Sequence, residues 1–346
     1  MRVDMLPAAY GDCIVISYGS EPVRYVLIDA GTTPTWSEAL RPYLEKHGIV
    51  RLELFVLTHI DADHIAGAIP MLEDKTLPID IREVWFNGWE HLPKRFLSVK
   101  QGERFSELIK ERGIPWNVRF NGRAVCIGED GLPTHELEGG LRLTLLSPTQ
   151  GKLGQLARVW KKEIDRHFLG LEAGKPRRPR FLARDPTRST NVPALAATKF
   201  RSDRSIPNGS SIALLAEYGE KSIMLVGDAQ APVLTRSIAA ILSDRSLERL
   251  KLNALKVSHH GSRGNTNVRL LQLLDCKRYL ISGNGDVHNL PDNEAIGRII
   301  YHGGERPHLL FNYRSTRTEC WDDEALRQRY CFYTKYGRQG LLGLKL

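Results

Sequence analysis

Six consecutive positions in the segment Thr58-His-Ile-Asp-Ala-Asp-His64 hold two imidazoles and two carboxylates. No other stretch of the chain is as dense in groups that bind metal ions. The segment follows Leu52-Glu-Leu-Phe-Val-Leu57, an apolar run that reads as a strand. His59 and Asp61, two apart at its mouth, therefore project to the same side. Asp63 and His64 fall where the chain turns into a helix and aim at a neighbouring point. That arrangement suits two adjacent divalent cations, which in two-metal sites sit about 3.5–4 Å apart. An acidic helix N-terminus would explain Asp63, but it leaves the double pairing unexplained.

Two later segments fit the same scheme. Met224-Leu-Val-Gly-Asp228 ends an apolar strand in a carboxylate that can bridge two cations, or cap the helix starting near Pro232. Leu255-Lys-Val-Ser-His259-His260-Gly-Ser sets paired imidazoles at another strand end, and the Gly after them lets the backbone approach closely.

The elements that must position these groups are short. Strands are predicted at 13–18, 24–29, 52–57, 81–86, 141–146, 254–257 and 278–281, with a hairpin over 211–226. Helical spacing covers 36–47, 65–72, 103–112, 155–168, 232–242 and 293–301. Strands cluster in pairs before each helix instead of alternating strictly with helices. This favours an α/β sandwich of two packed sheets with helices outside over a doubly wound sheet. Residues 1–313 read as one domain. Within it, 151–205 is a basic insertion between two halves, and Gly170–Ser205 has loop composition. Residues 314–346 form a C-terminal extension whose aromatics suit core packing.

Composition narrows the class. Of 346 residues, 42% are hydrophobic and 26% charged, an ordinary globular balance. No apolar run approaches the ~20 residues of a membrane span, and Met-Arg-Val-Asp-Met-Leu-Pro does not read as a signal peptide. A cytoplasmic protein is expected, with no membrane partner. Five scattered cysteines do not make a disulfide framework. The net charge is +9, and the 14 Lys/Arg against 5 acids between Gly151 and Ser205 account for all of it. Such a segment can funnel a polyanion or simply be a solvated loop. Arg177, Arg178 and Arg180, interleaved with prolines and followed by Phe181, are the candidate contacts to a nucleic-acid backbone.

With these residues in view, the chain resembles the metallo-β-lactamase superfamily. His-x-Asp-x-Asp-His, the strand-end Gly227-Asp228 and Ser258-His-His-Gly-Ser carry the resemblance. More narrowly, it is similar to the branch containing the hydrolase domain of the ComEC competence DNA-uptake channel. Leu6-Pro-Ala-Ala-Tyr-Gly11-Asp12-Cys13, Leu27-Ile-Asp29-Ala-Gly31 and Asn208-Gly-Ser-Ser-Ile-Ala-Leu also match that branch. The likeness spans about 1–302, apart from the insertion. It implies the αββα sandwich of that fold and two divalent ions, Zn²⁺ or Mn²⁺.

The resemblance also implies a division of ligands. His59, Asp61 and the bridging Asp228 would hold one ion. Asp63, His64, Asp228 and His259 would hold the other, with His260 as the alternative to His259. The usual superfamily has His where this chain has Asp61, and a further His before the Gly-Asp strand, where only Asn208 and its neighbours stand. Oxygen-rich sites of this kind favour harder cations than zinc. His288, near a position where the branch carries a His-Pro pair, is the candidate leaving-group acid, although Leu290 precedes the Pro here.

The expected reaction is metal-dependent hydrolysis, with Asp63, Asp228, His260 and His288 as the catalytic set and DNA or RNA as substrate. A hydrolase of small esters, lactones or amides is the alternative on the same fold. A third reading is a metal-stabilised module that binds nucleic acid or partner proteins of a bacterial defence operon without turnover. Oligomeric state is not encoded in any residue pattern here.

Overall fold

The computed structural model describes residues 1–77, 79–92, 100–158 and 190–346. Arg177, Arg178 and Arg180 lie outside them, as does the second half of the helix expected over 155–168. The described part of that helix begins earlier, at residue 150.

Fourteen strands build two mixed sheets. In chain order they are β1 Arg2–Met5, β2 Ile14–Tyr18, β3 Arg24–Ile28, β4 Leu54–Val56 and β5 Val84–Trp85. Next come β6 Thr134–Glu136, β7 Arg142–Ser147, β8 Ala213–Tyr218, β9 Lys221–Leu225 and β10 Ala254–Lys256. The last four are β11 Arg278–Ile281, β12 His308–Phe311, β13 Tyr333–Tyr336 and β14 Leu342–Lys345. The first sheet runs β14-β1-β2-β3-β4-β5, antiparallel as far as β3 and parallel beyond it. The second runs β13-β12-β11-β10-β9-β8-β7-β6, parallel from β13 to β9 and antiparallel from β9 to β6.

The layering follows from the period-2 alternation of strand side chains. Ile14, Ile16, Val26, Ile28, Leu54 and Val56 of the first sheet meet Leu214, Ala216, Ile223 and Leu225 of the second in one central core. The intervening Val15, Leu27 and Phe55 face outward, under a helical layer that includes Leu40, Leu44, Met71, Phe105 and Leu108. On the other side Leu215, Met224 and Leu255 face the helices Ala231–Asp244 and Asn293–His302. Sheets buried on both faces need near-continuous apolar strands, and these strands have them. The molecule is the expected αββα sandwich.

The sequence reading differs in detail at several elements. The strand expected over 81–86 is broken into Asp80–Ile81, in a separate two-stranded ribbon, and β5. Within the insertion, Val192–Ala196 is a helix capped by the Asn191 side chain and packed on Asn293–His302. Beyond residue 314, β13 extends the second sheet beside β12, and β14 pairs with β1 in the first. His135 packs edge-on to Trp85 and Phe120, within the fold and not at the metal-ligand cluster. All five cysteines are free. Among the described residues no helix is long and apolar enough to cross a membrane.

Candidate metal centre

Three parallel strands open onto one end of the sandwich. Strands β4, β9 and β10 end at Val56, Leu225 and Lys256, and three residues further on stand His59, Asp228 and His259. The two sheets are tied together at this point, where the Ile212 N–H donates to the Thr58 carbonyl at 2.9 Å. Gly227 makes the junction possible. Its φ is +47°, and a Cβ there would lie 3.1 Å from the Thr58 side chain.

Asp228 occupies the middle of the cluster. Its Oδ2 lies 3.8 Å from His59 Nε2 and 3.6 Å from His259 Nε2. Its Oδ1 lies 3.5 Å from His64 Nε2 and 4.0 Å from His260 Nε2. Asp61 flanks His59 at 3.5 Å. Asp63 Oδ2 is 3.7 Å from His64 Nε2 and 3.4 Å from His260 Nε2. His59, Asp61, Asp63, His64, Asp228, His259 and His260 thus meet in one cluster. The distances sort them into His59, Asp61 and His259 around one oxygen of Asp228, and Asp63, His64 and His260 around the other. His260 thus stands where the resemblance named it as the alternative to His259, and His259 faces the first set.

The grouping has a backbone cause. Successive residues of an extended segment point to opposite sides. Here His259 (φ 49°, ψ 52°) and His260 (φ 51°, ψ 24°) both adopt the left-handed region, at a cost of about 1–3 kcal/mol each. The turn they make aims both rings at Asp228, and the His259 N–H is anchored to the Gly227 carbonyl at 3.0 Å.

Every imidazole uses Nδ1 outward and leaves Nε2 for the centre. His64 Nδ1 meets Asp29 Oδ2 at 2.7 Å, His59 Nδ1 meets Thr58 Oγ1 at 3.0 Å, and His260 Nδ1 meets Ser282 Oγ at 2.8 Å. His259 Nδ1 lies 3.2 Å from both Asn265 Oδ1 and Asn208 Nδ2. Partners on the far nitrogen fix ring orientation in metal-binding histidines. Asp29 does most of this: it also accepts from the Thr58 N–H at 2.7 Å and from the Thr58 hydroxyl at 2.8 Å. Sequence reasoning gave Asp29 no role beyond matching an opening strand.

The inner atoms lack partners of their own. His59 Nε2, His64 Nε2, His260 Nε2 and Asp228 Oδ1 are buried without a hydrogen bond. Leaving such a group unpaired costs about 1–3 kcal/mol, so four of them facing one space fit divalent cations well. The metal-free electrostatics point the same way. Burial alone would lower the pKa of His64, but Asp63, Asp228 and Asp29 raise it well above its ordinary value. Burial likewise opposes ionisation of Asp63 and Asp228, and the surrounding imidazoles nevertheless hold both low.

Linkage gives these shifts a measurable consequence. The contribution of protonated His64 is complete below its ordinary value of 6.5 and lost as pH rises through its raised folded value. Those of Asp63 and Asp228 are present above 3.8 and lost only in acid. Chelator-treated protein should therefore melt at lower temperature as pH is raised above 6.5, and added cation should remove that slope. A melting temperature that stays flat or rises across the interval without metal would contradict this electrostatic picture.

The family model described as "Metallo-beta-lactamase superfamily" matches residues 8–285. The chain belongs to the metallo-β-lactamase superfamily. ComE operon protein 3 of Bacillus subtilis (strain 168) is 23% identical over 317 residues, covering 87% of this chain. The chain spans 31% of that relative's length. Among solved structures, a diphosphatase from the PhnP family is similar over 100% of this chain and 98% of its own, at 10% identity and a TM-score of 0.42. Zinc-bound PqqB from Methylobacterium extorquens is similar over the full length of both chains, at 15% identity and a TM-score of 0.42.

Two further groups border the cluster, one containing His288, which was singled out in sequence, and the other centred on Asp203, which was not. Tyr10 and His288 meet edge-on, with ring centroids 5.8 Å apart. Burial lowers the pKa of His288, while the Asp63 carboxylate opposes this and the His260 and His259 rings reinforce it. On another side Asp203 lies 3.9 Å from His259 Nδ1 and accepts from Asn208 Nδ2 at 2.8 Å and Asn265 Nδ2 at 3.2 Å. Asp203 also lines a cavity of about 350 Å³ with Lys152, Arg204, Gln230 and Arg236, where the helix Ala231–Asp244 begins. Lys152 Nζ donates to Gln230 Oε1 at 2.5 Å. None of the three cations is ion-paired with an acid among the described residues.

Proposed function

We propose that this protein hydrolyses phosphodiester bonds of a nucleic acid, using two divalent cations. His59, Asp61 and His259 would hold the first, Asp63, His64 and His260 the second, and Asp228 both. The observation that carries the reading is that the two carboxylate oxygens of Asp228 face two separate sets of unpaired donors. Divalent cations held there would supply an activated water for attack and withdraw charge from the scissile group.

The chain's own residues do the rest. Thr58, Asp29, Ser282 and Asn265 hold the four rings so that only Nε2 faces inward. Asp61, whose side chain is 38% exposed, lies on the open side where substrate enters. His288, whose pKa is lowered by burial, stands beside Tyr10 where it could hydrogen-bond substrate or assist the leaving group. A phosphodiester is favoured over a neutral ester by the cavity of Lys152, Arg204 and Arg236 beside the centre.

Cleavage of a labelled oligonucleotide with added Mn²⁺ or Zn²⁺ tests the reaction, with Asp63→Ala as the inactive control. Absence of cleavage by protein that holds metal, alongside turnover of a small ester, would overturn the substrate class in favour of the ester-hydrolase alternative. Binding is tested separately. Replacing Lys152, Arg204 and Arg236 together by Ala should weaken oligonucleotide binding and reduce the salt slope of log K by about 2–3, at ~0.7–0.9 per lost phosphate contact. An unchanged slope would remove this cavity from the binding path.

A further inference from the structure

We infer that Asp203 is a positioning residue of the metal centre, holding His259 in the tautomer whose Nε2 is free for a cation. The inference rests on the metal centre proposed above. A neutral imidazole carries its hydrogen on one nitrogen and accepts on the other. His259 can therefore bind a cation through Nε2 only while Nδ1 keeps the hydrogen, and the partner of Nδ1 decides which tautomer is present.

Around Nδ1 of His259 the protein sets two opposed partners. Asn265 Oδ1, an acceptor, and Asn208 Nδ2, a donor, both lie at 3.2 Å. The acceptor calls for hydrogen on Nδ1. The donor calls for hydrogen on Nε2, which would close that atom to a metal. No such conflict exists at His59. There the Thr58 hydroxyl donates to Asp29 Oδ2, so its oxygen is left to accept from His59 Nδ1.

Asp203 resolves the conflict at His259. Its Oδ2 accepts from Asn265 Nδ2 at 3.2 Å and from Asn208 Nδ2 at 2.8 Å, and lies 3.9 Å from His259 Nδ1. Asn265 Nδ2 also faces the carbonyls of Asp228 at 3.0 Å and Ala229 at 3.4 Å. Three acceptors around that nitrogen fix the orientation of the amide, so its oxygen faces the imidazole. The nearby carboxylate charge favours a hydrogen on Nδ1 over a lone pair, and draws the competing amide of Asn208 towards itself. Asp203 is in turn held by its own backbone. Its N–H donates to the Gly264 carbonyl at 2.9 Å, and its Oδ1 accepts from the Ser205 N–H at 2.8 Å. Asn208 and Asn265 are buried, so these bonds face little competition from solvent.

Imidazole nitrogen shifts in magnetic resonance read the tautomer directly. The test uses chelator-stripped full-length protein with isotope-labelled histidine, the His259 signals being identified by their loss in His259→Gln. Wild type should show hydrogen on Nδ1 of His259 and a bare Nε2. Asp203→Ala should move the ring towards hydrogen on Nε2. Adding Asn208→Ala, which removes the competing donor, should restore the first tautomer. A merely structural role for Asp203 would lower stability without moving these signals. In calorimetry with Zn²⁺ alone, Asp203→Ala should weaken one ion by about 10-fold or more and leave the other within ~2-fold. Folded Asp203→Ala with the wild-type tautomer overturns the inference and leaves the metal centre intact. Should the variants not fold, the wild-type spectrum decides, because hydrogen on Nε2 of metal-free His259 refutes the inference. A wild type that binds no ion overturns the metal centre and this inference together.

Discussion

Asp228→Ala should reduce hydrolysis by at least ~10³-fold and lower bound metal from two ions per chain to at most one. The size of the effect follows from geometry. Each oxygen of Asp228 faces a different half of the cluster, at 3.5–4.0 Å from its imidazoles. Truncation would therefore take a donor from both of the proposed ions at once, whereas loss of Asp61 or Asp63 would affect one. It also removes the anion around which four imidazoles are gathered. Elemental analysis of the purified variant, paired with a cleavage assay, checks both halves of the expectation. Two ions retained per chain in Asp228→Ala would refute its bridging role.

Asp29→Ala should be the most destabilising substitution near the centre, by about 3–5 kcal/mol in urea unfolding. Asp29 is fully buried, has a left-handed φ of 56°, and accepts from the Thr58 N–H, the Thr58 hydroxyl and His64 Nδ1. Its removal strands a backbone donor and an imidazole inside the protein. It also frees the ring of His64 to rotate, so affinity for the ion next to His64 should fall 10–100-fold. Asp29→Asn should recover part of the stability, because the amide oxygen can still accept from Thr58, but not the full metal affinity. A loss below ~1 kcal/mol in Asp29→Ala would mean that water or another group replaces these bonds.

Much of this cluster is legible in the sequence because its candidate ligands lie in three short segments, each closing an apolar strand. Residue type and strand register carry that information without knowledge of distant contacts. The same is true of the sandwich: paired apolar strands before helices forecast two sheets with helices outside. What could not be read depends on tertiary closure. The grouping of His259 and His260 turns on two left-handed residues that no propensity favours. Asp29 is a single charged residue in an apolar run, and its meaning arises only when it is brought against Thr58, 29 residues further on. Tyr333–Tyr336 alternates exposure at a sheet edge, so its polar content concealed a strand.

The closing strands β13 and β14 bear on how the polypeptide is made. They pair with β12 and β1, and the Leu346 N–H even reaches the Met1 carbonyl at 3.2 Å. While residues 333–346 are still inside a ribosome, β1 and β12 each present a row of unpaired backbone donors and acceptors, the sort of margin that recruits foreign strands. Neither row is paired until these two strands have been made and have folded back. A product stalled or clipped ahead of Tyr333 is thus expected to be an adhesive species with two open margins, a client for chaperones and proteases instead of a smaller working enzyme.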